Sequence, residues 1–182
     1  VTAEYDRGYD ALEDTSWMPP PKYRGPLHLF DLGTPDALED WHLHGDAFAV
    51  ASVPALFQEP TLNSLADAGE AAVGVARSPK FAIPDGYTML RFTYHGGRSQ
   101  QDGRIPVLLD RAPDGALAVV LIDAATNGPL HAFHVNAGHT LRQGSFSVEK
   151  WQGKQVRLVL LDTHTGSSYA WLGLERAWLA TE

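Results

Sequence analysis

At 182 residues, 44% hydrophobic and 10% aromatic, the chain suits a single domain with enough apolar side chains for a core. A net charge of -8 with no cluster of Lys and Arg excludes a nucleic-acid backbone or an anionic lipid surface as partner. The absence of cysteine excludes disulfides, thiolate chemistry and Cys-based zinc or iron-sulfur sites.

Val1 to Pro26 reads as an extended arm. Pro19-Pro20-Pro21 imposes polyproline geometry and forbids helix. Tyr5, Tyr9, Trp17, Met18 and Tyr23 give the arm more adhesive side chains than a solvated tail needs, which marks them as candidate partner-docking residues. The chain opens at Val1 without an apolar leader, which fits a processed secreted protein or an excised domain equally.

From residue 27 the pattern is of short strands. Leu27 to Phe30 is the first, followed by an acidic loop with a helical turn at Thr34-Pro35. Trp41 to Phe48 alternates into a turn at Gly45-Asp46, and Pro54 to Asp67 reads as loop. Ala71 to Ala76, Lys80 to Ile83 and Thr88 to Tyr94 read as strands, with a turn at Pro84-Asp85-Gly86. Ile105 to Asp110, Leu117 to Asp123 and Leu130 to Val135 read as consecutive hairpins through Pro113-Asp114-Gly115 and Asn127-Gly128, and Leu141 to Val148 follows. The longest apolar run, Ala116 to Ile122, is strand length and far short of the roughly 20 residues of a membrane helix.

The segment Trp151 to Trp178 organises the rest as turn, strand, loop, strand. Val156, Leu158 and Leu160 alternate with Gln155, Arg157 and Val159, as a half-buried strand requires. Asp162 to Ser168 is too long for a tight hairpin and is the surface where a ligand could be read. About ten short strands with no run at helical period predict an all-β fold, an antiparallel two-sheet β-sandwich over 27–182 behind the arm at 1–26. Trp41, Phe48, Phe81, Phe92, Phe146 and Trp178 are assigned to its core.

The order of several motifs resembles a bacterial family. Phe30-Asp31, Trp41 with Gly45-Asp46-Ala47-Phe48, Ser78-Pro79-Lys80-Phe81, Gly96-Gly97, Gly153-Lys154 and Asp162 are similar to the galactose-binding-like jelly-roll modules appended to family 32 glycoside hydrolases such as levanases, over roughly Leu27 to Trp178. The resemblance implies an extracytoplasmic, bacterial module with carbohydrate as ligand. It also implies a structural calcium ion near the first and last strands, at Asp31 and Glu175. The chain departs from that pattern at Tyr94-His95-Gly96-Gly97 and at Tyr169-Ala170-Trp171, positions that line the face where a sugar pocket would lie.

A sugar site needs an aromatic ring for the apolar face of the sugar and polar groups for its hydroxyls. Tyr94, His95, Arg98, Gln100, Tyr169 and Trp171 supply both kinds on two loops. His42 and His44 stand about 7 Å apart on one strand face, a metal spacing that needs a third ligand from His95, His131, His134, His139 or an acid. Glu39-Asp40 are adjacent on a loop and cannot flank a substrate, and no G-x-S-x-G, phosphate loop or H-E-x-x-H occurs, so no enzyme is expected. Two readings lead, a non-catalytic glycan-recognition module and an accessory subunit docking into a larger protein assembly through its arm and loops; a third, a small β-sandwich enzyme, would need a convergent cluster of His and carboxylate side chains.

Overall fold

The computed structural model describes residues 24–53, 56–65, 69–103, 105–106 and 110–181. Tyr5, Tyr9, Trp17, Met18 and Tyr23 lie outside the described residues. The foot of the arm is fixed: the Tyr87 hydroxyl donates to the Gly25 carbonyl at 3.1 Å.

Among the described residues, strands carry nearly all the regular structure. They are β1 (Leu27–Asp31), β2 (His42–Gly45), β3 (Ala49–Val53), β4 (Phe57–Asn63), β5 (Gly74–Arg77), β6 (Phe81–Ala82), β7 (Met89–Arg98), β8 (Leu117–Asp123), β9 (Pro129–His134), β10 (Asn136–Ser147), β11 (Gln155–Asp162) and β12 (Leu172–Ala180). One antiparallel sheet has the order β10-β7-β12-β4-β3, with β1 beside β12; the other has β2-β5-β11-β8-β9, with β6 beside β11. Short 3-10 turns occupy Pro35–Leu38, behind Thr34, and Glu149–Trp151.

The two sheets close on one core. Leu90, Phe92 and Tyr94 of β7 meet Leu117, Val119 and Leu121 of β8 and Val156, Leu158 and Leu160 of β11. Period-two alternation puts these on inward faces, and each fully buried Leu contributes roughly 1.5–3 kcal/mol. Trp41, Phe48, Phe92 and Phe146 are core as expected, and Phe81 packs on its margin. Trp178 does not join them: it is half-buried, because alternation turns Ala177 and Leu179 inward instead.

Four expectations are corrected. Residues 54–67 are not all loop, since β4 pairs with β3 in a hairpin. Pro60 concealed it; the ladder slips between Ala51 and Val53, and β12 pairs only with Leu62 and Asn63, so the missing proline N–H falls where no partner needs it. Ile105 is not in a strand paired with β8, because β11 and β9 take both edges of β8. Ile105 lies instead in a second cluster with Ala118, Val120, Ile122, Val159 and Leu161, so β8 and the end of β11 are buried on both faces rather than half-buried. Finally, β11 and β12 are not a pair; they belong to different sheets, and residues 163–171 cross between them.

Candidate functional site

The crossing 163–171 is pinned at both ends by backbone bonds. On the β8 side, Thr163 N–H donates to the Ala116 carbonyl at 2.9 Å, and Gly115 N–H donates to the Thr163 carbonyl at 3.1 Å. Asp114 accepts both the Thr165 N–H at 3.2 Å and its hydroxyl at 3.1 Å. On the β7 side, Gly97 N–H donates to the Trp171 carbonyl at 2.8 Å and Arg98 N–H to the Tyr169 carbonyl at 3.2 Å. A Cβ at Gly97 would overlap the Tyr169 carbonyl, so only glycine admits this approach.

The pinned crossing holds Tyr169 in a left-handed conformation, φ 57°, which costs an ordinary side chain about 1–2 kcal/mol. The residue is 48% exposed. It leans on His139, with ring centroids 5.1 Å apart at 31°. His139 belongs to a bulge in β10: Gly138 pairs with Gly96 and Arg142 with Tyr94, so residues 139–141 stand opposite His95 alone.

Beside this ring pair lies a cleft of about 410 Å³, lined by Gly97, Arg98, Gln100, Asn136, Gly138, His164, Ser168 and Tyr169. Arg98 faces Asn136 across the β7–β10 ladder. His164 Nδ1 accepts the Gly166 N–H at 3.0 Å, which puts the ring proton on Nε2. No carboxylate lines the cleft among the described residues.

Beneath the cleft the polar groups are deeply buried. Burial pushes the Asp162 carboxyl up to about 7, against the opposing hydrogen bonds from Ser64 and from the His164 N–H, which donates to Asp162 at 3.0 Å. Burial likewise lowers His95 to about 4. Its Nε2 and Thr61 Oγ1 are 3.1 Å apart.

Of the six candidate ligand residues, the structure brings together Arg98, Gln100 and Tyr169 on the cleft wall. Tyr94, His95 and Trp171 are corrected. Tyr94 turns into the core, where burial also raises its phenol pKa. His95, on the opposite face, is covered by Thr61, Gly173 and Trp171. Trp171 is 0% exposed and offers no stacking surface. His164 and Ser168 come from the loop Asp162 to Ser168, the expected ligand surface, whereas Asn136, Gly138 and His139 join the site without having been singled out for it. The Asn136-Ala137-Gly138 run inside a strand is the kind of signal that marks a bulge.

The metal expectations find no assembled shell. Asp31 Oδ1 accepts the Gly33 N–H at 3.3 Å, and Glu175 accepts the Thr93 hydroxyl at 2.9 Å. His131 stacks on Phe146, and His134 donates from Nε2 to the Gly103 carbonyl at 2.8 Å. Among the described residues, no three His, Asp or Glu side chains converge on one point, so neither the His42–His44 pair nor Asp31 with Glu175 gains a third such side chain there. No helix among them is long and apolar enough to cross a membrane.

No family model matches the chain, and no curated protein sequence matches it. Solved structures do resemble it in fold. The K2 cleaved adhesin domain of Lys-gingipain aligns with TM-score 0.52 at 9% identity, over 86% of this chain and 99% of that one. The K1 cleaved adhesin domain of Lys-gingipain from Porphyromonas gingivalis W83 aligns with TM-score 0.51 at 13% identity, over 87% and 99%. A carbohydrate-binding module solved in complex with β-1,4-galactotriose aligns with TM-score 0.47 at 13% identity, over 78% and 88%.

Proposed function

We propose that the chain is a non-catalytic saccharide-recognition module whose binding site is the cleft between the crossing 163–171, the end of β7 and the start of β10. The exposed, strained Tyr169 carries this reading. A left-handed backbone under a bulky residue persists only where the surroundings over-determine it, and such strain gathers at ligand-binding positions. Here the fold spends that strain on holding a phenol ring out of the core, braced by His139, at the rim of a polar cleft.

The ring supplies the apolar platform a sugar face needs, and Arg98, Gln100, Asn136 and Ser168 supply hydroxyl partners. Glycosidic cleavage uses a pair of carboxylates about 5–9.5 Å apart, and the described lining contains none. The distant likeness to carbohydrate-binding modules concerns fold alone; the cleft supports the assignment of a ligand.

Affinity gel electrophoresis of the full chain through a panel of soluble neutral and acidic polysaccharides tests the proposal. Retardation by at least one of them, weakened about fivefold or more by Tyr169→Ala, is expected. Free migration through every gel, or retardation indifferent to that substitution, would sink it.

A further inference from the structure

Two arginines stand beside the cleft of a chain that is acidic overall. Acidic residues outnumber basic ones 22 to 14 overall, yet the cleft is bordered by two guanidinium groups. Arg98 is exposed on its wall. Arg142, also exposed, donates from its guanidinium to the Asn136 carbonyl at 3.4 Å, bringing a second positive charge to the β10 side. The ion pairs among the described residues are Lys154 with Asp123 and Arg176 with Glu175, so neither cleft arginine pairs with a carboxylate of the described residues. Asp114, the acid that the crossing does use, is engaged by the backbone and hydroxyl of Thr165.

An exposed arginine that pairs with no acid among the described residues, beside a polar cleft, is matched by a planar anion. The guanidinium fork presents paired donors at the spacing of the two carboxylate oxygens, and the resulting bonds are about twice as strong as neutral ones. Negative charge more than about 8 Å away is screened at physiological salt, so the guanidinium groups of Arg98 and Arg142, opposed locally by Asp114, shape the field a small ligand meets in the cleft. His164, whose Nδ1 accepts the Gly166 N–H, also lines the cleft.

Resting on the saccharide-binding reading above, we propose that the cleft selects sugars that bear a carboxylate, uronate units, over the same sugars in neutral form. Arg98 engages the carboxylate while the Tyr169 ring covers the apolar face of the same or the adjoining unit. Arg142 strengthens the field without needing to touch the ligand.

Isothermal titration of the full chain with trigalacturonate and with its fully methyl-esterified form isolates the charge, since the two differ in little else. The acid is expected to bind about tenfold tighter or more at low salt. That advantage should shrink as sodium chloride is added, and Arg98→Gln should collapse the ratio of the two affinities toward one. Equal affinities, preference for the ester, or a ratio that Arg98→Gln leaves intact would each overturn the inference. Binding of neither form, while a neutral saccharide binds through Tyr169, overturns the inference and leaves the saccharide site standing. The absence of any saccharide binding that depends on Tyr169 overturns both.

Discussion

Gly97 has the Tyr169 carbonyl where its own side chain would be, and the neighbouring residue, Arg98, donates its N–H to that same carbonyl. The end of β7 and the crossing are therefore fitted to one another through backbone alone. Gly97→Ala must push the crossing away from the sheet. The expected loss is about 1–3 kcal/mol of stability, the usual range for forced overpacking, together with loss of polysaccharide retardation. A variant with unchanged urea midpoint and unchanged binding would show that this approach positions nothing.

Tyr169 separates stability from binding. Tyr169→Gly removes the left-handed penalty but gives the unfolded chain more freedom, two effects of about 1 kcal/mol with opposite sign. The urea midpoint should therefore move little while retardation is lost. A drop of more than about 2 kcal/mol would instead make the ring a packing element.

Trp171 should behave in the reverse manner. It is wholly enclosed, so Trp171→Ala should cost about 3–5 kcal/mol by leaving a cavity. The milder Trp171→Phe should lower the melting temperature yet keep polysaccharide binding under conditions where it is folded. Selective loss of binding by a stably folded Trp171→Phe protein would restore this residue as a platform.

Two buried groups give opposing pH dependences. Asp162, raised to about 7, stabilises the fold fully below its unfolded value near 3.8, and this contribution is lost as pH rises toward 7. His95, lowered to about 4, contributes fully above its unfolded value of 6.5, and this contribution is lost as pH falls toward 4. Between pH 4 and 6.5 the slopes oppose, each at most about 1.4 kcal/mol per pH unit. Chemical denaturation of Asp162→Asn across that range should reveal stability rising with pH, and His95→Gln should reveal stability falling. Parallel profiles for the two variants would contradict both assignments.

Local pattern made individual strands readable, whereas their partners required long-range information. Residues 117–123 and 155–162 alternate or run apolar between strong turn signals, and β8 and β11 have those same bounds. Pro60 hid β4 because a proline argues against a strand unless the ladder is known to be open at that point. Nothing in the run from Asp162 to Trp171 states that the chain changes sheets there. The aromatic residues show the same division. Tyr94 and Trp171 look alike in sequence to Tyr169, but β7 alternation turns the first inward and the closing of the crossing over Gly96 and Gly97 encloses the second. Only the third is lifted outward by its backbone.

The bulge at residues 139–141 has an effect beyond bracing Tyr169. Among the described strands β10 is the outermost of its sheet, and a long, flat border of unpaired amides invites another molecule to extend the ladder. Two surplus residues throw that border out of step midway, with Leu141 47% exposed at the break. An incoming strand cannot stay in register past the interruption, so the irregularity that shapes the rim also protects the molecule from growing into fibres along that side.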